Sequence, residues 1–583
     1  MTKKTATLPK MKISGIEMLQ KEKKTLQTKF RNKYFIFQTN IFQILTLFPQ
    51  VLLTWDIALI TLLGILVRSI VGLNDFAEDN TPILTNTFEN HRSWIDFASK
   101  LSLQRWYTSK TISFELDQPI IVGYHSILMS YIGNYLFDGR HKSWFTIKTL
   151  KTNEMAELRS FMKFTVCLTD MFMYIPPAIW FAKRYGRLVA ENTVPLKKVA
   201  LKPGSSTFEN AALGHLKQLI NFINSLIILF QPTLLFIDHG LFGYHGFTLG
   251  ALLLSINNIF DNKLGGACVF YILALCFDQN SIFCAPVFVL YFLRMTILSL
   301  SLFDFASIII TVLLTLALLY FPMYLFLDSR EEGIKLLKNS LYKIYSLSMF
   351  DTKKEPSNIW LFFKNNFLNG KLTNQELKVF SLVFIAISII PTCVFILIKC
   401  SKNNKPQSKV VLLYGLASCS LSFYLFSYEF DYKSVLIPIL PLTLLIVKYN
   451  QINSLNKTVN EFGVNNINLS LQRHFVIQNV SMYSLWPLVA DNGLGVFVQY
   501  VLIICLYNWL FGRFSFSSTR KLELISNTFY AIFYLVMISS VIVDKFFDLS
   551  LPLKNGLNHF MFALSHFSFF ISWLWLQFEM WNI

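Results

Sequence analysis

Charge is scarce in this sequence. Only 15% of its 583 residues are Asp, Glu, Lys or Arg, where soluble domains hold roughly a quarter. With 54% hydrophobic residues and a mean hydropathy of +0.47, that scarcity excludes an ordinary soluble domain. The apolar stretches are continuous rather than alternating with period two, which argues against a β-barrel and for an all-α polytopic membrane protein. Cysteine pattern is also missing. Cys167, Cys268, Cys276, Cys284, Cys393, Cys400, Cys419 and Cys505 lie in or beside apolar stretches, with no CxxC and no ladder of spacings. Neither a disulfide framework nor a zinc site is indicated. No Walker loop, HExxH, GxSxG or dinucleotide fingerprint is present, so no metal site and no cofactor is expected. No transporter-type internal repeat is visible. A signal peptide is not expected, because the basic N-terminal stretch is too long and no short apolar core with a cleavage site follows it.

What is there begins with that stretch. Residues 1–34 carry ten Lys/Arg against Glu17 and Glu22. Nucleic-acid binding fits such a segment, but on a membrane protein a cytosolic, positive-inside tail fits better, and no nucleic acid is expected as partner. Candidate spans lie near 50–71, 119–137, 160–182, 216–237, 247–260, 265–283, 285–302 and 304–327, then near 378–400, 409–427, 434–448, 472–489, 493–512, 525–544 and 558–579. Roughly 11 to 15 crossings are expected, the shorter ones as broken or tilted helices. The sequence therefore divides into a basic segment 1–49, a transmembrane core 50–327, a polar amphipathic segment and loop 328–377, and C-terminal helices 378–583. Fifty-seven Phe and 24 Tyr suit lipid-facing and interfacial surfaces. Sequons at Asn456, Asn468 and Asn479 are weak signals, the last too close to a span for modification.

The first span delivers residues 73–118 to the non-cytosolic side. This loop holds Asp75, Glu78, Asp79, Glu89, Asp96, Glu115 and Asp117 against four Lys/Arg, as such a loop should. The loops at 138–159 and 183–217 are both basic although one span separates them, so a missed or re-entrant span is required there.

Four constellations can carry chemistry. In the loop 73–118, a helix from about Phe88 to Leu103 puts Phe88, Trp94 and Ile95 near an apolar side and lets Arg92 and Asp96 pair at i,i+4. It reads either as a surface helix anchored by Trp94, Trp106 and Tyr107, or as a carboxylate held beside a cavity as general base. Asp238 and His239, with Tyr244 and His245, stand at the end of an apolar stretch, where catalysis, headgroup binding and helix capping all fit. Asp278-Gln279-Asn280 lies inside another apolar stretch. Glu429 to Lys433 reads as a charged turn between spans. From the residues alone, enzyme and transporter both remain open.

These same residues resemble the endoplasmic-reticulum α-1,3-glucosyltransferases that use dolichyl-phosphate-glucose. The branch most similar is the one adding the first glucose to Man9GlcNAc2. Phe88-Glu89-Asn90-His91-Arg92-Ser93-Trp94 is similar to the family's GDYEAQRHW, and Gln104-Arg105-Trp106-Tyr107 follows where the family has its own Trp-Tyr. Leu116 to Pro119 and Gly123-Tyr124-His125-Ser126 resemble LDYPPLTAYHS, and Phe161 to Pro176 resembles FMRTTV…D…IYIP. Asp238 to Tyr244 resembles DHGHFQYN, Phe277 to Pro286 resembles YKQM…AP, Asn358-Ile359-Trp360 resembles ANIW, and Lys433-Ser434 ends a segment similar to VHEKS.

The resemblance implies a GT-C glycosyltransferase fold in the endoplasmic-reticulum membrane, N-terminus cytosolic and active site lumenal. It implies an inverting, metal-independent transfer of glucose from dolichyl-phosphate-glucose to a lipid-linked oligosaccharide, with membrane lipids as surroundings. Glu89 and Asp96 are the catalytic candidates. Arg92, Trp94, Trp106, Tyr107, Tyr124, His125, Asp238, His239, Tyr244, Gln279 and Lys433 are the substrate-binding candidates. The sequence also departs from the family: Thr87 stands at the catalytic Asp position, Asp278 replaces the Lys of YKQ, Asp431 the His of VHEK, Leu241 a His of DHGHF, and Gln118 a proline. These departures keep a non-catalytic paralogue that binds dolichol-linked sugars or a partner protein, and a membrane transporter, as alternatives.

Overall fold

The computed structural model describes residues 56–73, 82–107, 118–137, 145, 152–192, 207–299, 302–325, 330–345, 373–400, 405–428, 432–456, 461–491, 493–511 and 521–582. Asp75, Glu78, Asp79, Glu115, Asp117, Asp431, the 358–360 segment and the basic tail lie outside these residues. All regular structure among the described residues is helical.

The first half contains α1 (Asp56–Gly72), α2 (Pro82–Lys100), α3 (Ile120–Leu136), α4 (Thr152–Met173), α5 (Ile175–Asn192) and α6 (Thr207–Leu229). It continues through α7 (Pro232–Phe242), α8 (His245–Phe260), α9 (Leu264–Leu275), α10 (Ala285–Ser299), α11 (Leu302–Tyr324) and α12 (Arg330–Tyr345). The second half contains α13 (Asn374–Lys399), α14 (Lys405–Phe426), α15 (Leu436–Asn456), α16 (Glu461–Tyr483), α17 (Leu494–Phe511), α18 (Lys521–Phe546) and α19 (Leu551–Asn582).

Eight helices among the described residues are long and apolar enough to cross a membrane, and α6 with α7 makes a ninth if the bent pair is one span. Other expected spans also fold as helices but fall short: α1 and α3 have 17 residues each, α8 has 16 and α9 has 12. The bend of 42° between α6 and α7 has a local cause. Pro232 brings no N–H to the helix start, and the Gln231 side chain caps the free Leu234 N–H instead. At α13, Thr373 and Glu376 form a capping box, each side chain accepting from the other's backbone N–H.

Two apolar clusters organise the packing. The larger runs from α1 and α5–α10 across α13–α19. The smaller gathers α2, α3, the start of α4, the α7–α8 turn and α11–α12, with Phe88, Ile95, Trp106, Met162, Phe242 and Met323 at its centre. Within residues 328–377 the described parts are α12, whose Leu336 and Ser340 are buried, and the capped start of α13 at Thr373. Asn479 is buried and bonded to Asn508 and Tyr534, as its closeness to a span requires.

Between the two clusters sits an ionic knot. Arg68 Nε of α1 lies 2.6 Å from Asp170 Oδ2 of α4, and His239 Nε2 of α7 lies 3.0 Å from the same oxygen. All three side chains are buried. A lone charge here carries a penalty of several kcal/mol, so the three hold one another and fix α1, α4 and α7 in register.

Candidate active site at the α2 face

Helix α2 presents two polar faces. Glu89, Arg92, Asp96 and Lys100 form one ridge, and the pairing on it differs from the expected Arg92–Asp96 contact. Arg92 Nη1 turns back to Glu89 at 3.1 Å, and Lys100 pairs with Asp96. The i,i+3 and i,i+4 spacings put each acid next to its own cation, leaving no reason for Arg92 and Asp96 to meet. Glu89 remains 44% exposed, whereas Arg92 is buried. Thr87, His91 and Trp94 occupy the other face at i, i+4 and i+7. At 3.6 residues per turn, Glu89 lies about 200° around the helix from Thr87. The two acids proposed from sequence therefore do not share the face of the family's base position.

That second face meets two distant parts of the chain, and a third packs behind them. Lys433, in the turn before α15, donates from Nζ to Thr87 Oγ1 at 3.2 Å. The His91 ring is edge-on to Trp94 at 4.6 Å, to Tyr244 at 4.9 Å and to Phe242 at 5.5 Å. Tyr244 also meets the His125 ring at 4.6 Å, and its hydroxyl bonds Thr165 at 2.8 Å. His125 Nε2 lies 3.1 Å from Thr169 Oγ1. Burial, then the positive surroundings of Lys433, His125 and His245, push the His91 pKa well below its usual value, so the ring is neutral at pH 7.

The Asp238-His239-Gly240 segment lies in a π-helical stretch, Leu235–Phe242, a distortion often found at functional sites. Its two polar side chains part company. His239 is turned to Asp170 and Arg68, and Cys167 Sγ lies 3.8 Å from its other ring nitrogen. The structure thus gives His239 a role in the buried knot rather than on the α2 face. Asp238 instead reaches over the start of α8: Oδ2 accepts the Gly246 N–H at 2.7 Å, and Oδ1 is 2.6 Å from His245 Nδ1. Of the three roles open to Asp238, helix capping is present.

The remaining candidates frame the site. Trp106 is buried with its ring on Gly123 of α3, Tyr107 donates to the Gln118 carbonyl at 3.0 Å, and Tyr124 donates to the Leu319 carbonyl at 2.8 Å. Their hydroxyls hold the backbone in place. Asp278 caps the 3-10 turn Gln279–Cys284 through the Asn280 N–H at 2.9 Å, and Gln279 is half-buried at its first position. The structure brings together Trp94, His125, Tyr244 and Lys433 from the sequence candidates, and adds His91 and His245. The i,i+4 spacing of Thr87 and His91 was a usable signal for the first, and the Asp238–His245 proximity across a seven-residue turn was a weak one for the second.

A bundle of apolar helices with a lysine and two histidines gathered at the polar face of an amphipathic helix has the build of a membrane protein with a polar site. The sequence agrees: residues 64–578 match the ALG6, ALG8 glycosyltransferase family, and the chain belongs to that family. It is 30% identical over 465 residues to the Saccharomyces cerevisiae dolichyl pyrophosphate Man9GlcNAc2 alpha-1,3-glucosyltransferase, covering 79% of this chain and 74% of the relative. It is 28% identical over 464 residues to the probable enzyme of the same name from Schizosaccharomyces pombe, covering 79% and 80%. The Mus musculus enzyme of that name is 26% identical over 402 residues, covering 67% and 70%.

Proposed function

We propose that this protein transfers glucose from dolichyl-phosphate-glucose in α-1,3 linkage to the lipid-linked Man9GlcNAc2 oligosaccharide, with inversion at the anomeric carbon. Metal independence, endoplasmic-reticulum residence and a lumenal site belong to the same reading and rest on the family resemblance. The cytosolic N-terminus rests on the basic tail, and the division into a core at 50–327 and C-terminal helices at 378–583 on the placement of the apolar stretches.

The observation that carries the reading is the Lys433–Thr87 contact beside His91, His125 and Tyr244. The leaving group of this reaction is a dolichyl phosphate that gains negative charge as the C1–O bond breaks. A lysine ammonium held at the polar face of α2 stabilises that charge, and the surrounding rings offer faces to the sugar. Trp94 and Tyr244 fit the sugar side, and Lys433 the phosphate side. Glu89 lies on the outer ridge, partly exposed and paired to the buried Arg92, away from this face.

The test is chemical. Purified full-length protein with dolichyl-phosphate-glucose and Man9GlcNAc2 lipid should yield Glc1Man9GlcNAc2. Microsomes from cells lacking the protein should accumulate the unglucosylated lipid. A normal oligosaccharide profile in those microsomes would sink the reading, and solute flux without a glycosidic product would favour a transporter.

A further inference from the structure

Thr87 cannot accept a proton at neutral pH, so the transfer proposed above needs a base from elsewhere in the site. We infer that His245, oriented by Asp238, is the general base that deprotonates the acceptor hydroxyl. This inference rests on the transferase reading.

The geometry is that of a carboxylate–imidazole dyad. Asp238 is fully buried and held at both oxygens: Oδ2 by the Gly246 N–H at 2.7 Å, Oδ1 by His245 Nδ1 at 2.6 Å. With Nδ1–H donating to the carboxylate, the lone pair is on Nε2, at the far end of a ring that stays 18% exposed. The orienting carboxylate fixes the tautomer and stabilises the imidazolium once formed. The turn is built for this contact. Phe242 takes a left-handed φ of 97°, and a Cβ at Gly243 would lie 2.7 Å from both Asp238 Oδ1 and His245 Nδ1. Any side chain at 243 would wedge the dyad apart.

The other candidate bases are weaker. Glu89 and Asp96 are paired to cations on the opposite side of α2. Asp278 caps a helical turn, and His125 Nε2 faces Thr169. His91 is rendered a poor base by burial and by its positive neighbours. For His245, burial opposes protonation, but Asp238 outweighs it and, against Lys433 and with Asp278, raises the pKa above the usual imidazole value.

The step balances. Nε2 of His245 takes the hydroxyl proton, the acceptor oxygen forms a bond to glucose C1, and the C1–O bond breaks toward dolichyl phosphate beside Lys433.

The experiment uses the full-length protein in nanodiscs with dolichyl-phosphate-glucose and Man9GlcNAc2 lipid. His245→Asn should lower kcat by about 10²–10⁴-fold while KM for the donor stays within about threefold. In the unaltered protein kcat/KM should rise about tenfold per pH unit up to the imidazole pKa, and this acidic limb should vanish in the variant. The charged and titratable groups around His245 are Asp238, Lys433, Asp278 and His91. Asp238→Asn keeps the turn's size and should lose rate while retaining donor KM. Full rate in both variants, or an acidic limb that survives in His245→Asn, overturns the base assignment alone. No product from the unaltered protein overturns the transferase reading and the base with it.

Discussion

Lys433 Nζ donates to Thr87 Oγ1 at 3.2 Å, across 346 residues of sequence. A lysine therefore stands against the position where the family resemblance puts its acid. Two consequences follow. The α2 face is cationic where a carboxylate would have made it neutral, and the proton acceptor has to come from another element.

Lys433→Met should lower kcat/KM for glucosyl transfer by about 10²-fold, the usual effect of removing one donor that stabilises a developing anion. A loss confined to donor KM, with kcat unchanged, would mean that Lys433 binds the ground state and transition state equally. Steady-state kinetics at varied dolichyl-phosphate-glucose separate the two.

Thr87→Asp should place a carboxylate in reach of Lys433 and form a charge-assisted pair there. In the His245→Asn background it should recover at least about tenfold of the lost rate, because an acid at 87 again supplies general-base catalysis. Absence of any recovery would show that residue 87 does not face the acceptor in this chain.

Asp170→Asn should be severely destabilising. The substitution leaves Arg68 as a buried, uncompensated cation, with an expected loss of about 3–5 kcal/mol. His239→Gln should cost less, because the Arg68–Asp170 contact at 2.6 Å survives it. Thermal unfolding in detergent checks both, and equal stability of all three proteins would refute the knot as a structural element.

The amphipathic α2 was legible because Phe88 and Ile95 repeat at helical spacing and are buried as that spacing requires. The helix ends at Lys100, three residues before the expected Leu103, and a separate 3-10 turn covers Leu103–Arg105. The two roles of Asp238 and His239 were not legible. Neighbours in sequence normally point about 100° apart on a helix, but which of them meets Asp170, 69 residues away, depends on the π-helical stretch. His245 stood in the same constellation, but its pairing with Asp238 was hidden by the same feature. A left-handed Phe242 and an extended Gly243 turn the chain back on Asp238, and no hydrophobic periodicity encodes that turn.

Gly123→Ala should disturb the frame of the site without touching its polar groups. A Cβ at 123 would lie 2.3 Å from the Trp106 ring, which is itself buried and cannot move freely. Overpacking of this kind costs about 1–3 kcal/mol. The expected result is a lower unfolding midpoint together with a changed Trp fluorescence spectrum. A variant with unchanged midpoint and spectrum would show that Trp106 relaxes without penalty.

His91 ties the site to pH. Its folded pKa is depressed, by burial first and then by Lys433, His125 and His245. In the unfolded chain the ring titrates near ~6.5. Below that value the unfolded state binds a proton that the folded state does not, so stability falls as pH falls, by at most about 1.4 kcal/mol per unit. Above it, both states are neutral and the contribution is constant. His91→Phe keeps an aromatic ring against Tyr244 and removes the titration. The stability difference between the unaltered protein and His91→Phe should be flat above about pH 7 and should shift against the unaltered protein as pH drops to about 5. Parallel melting curves across that range would exclude a buried neutral His91.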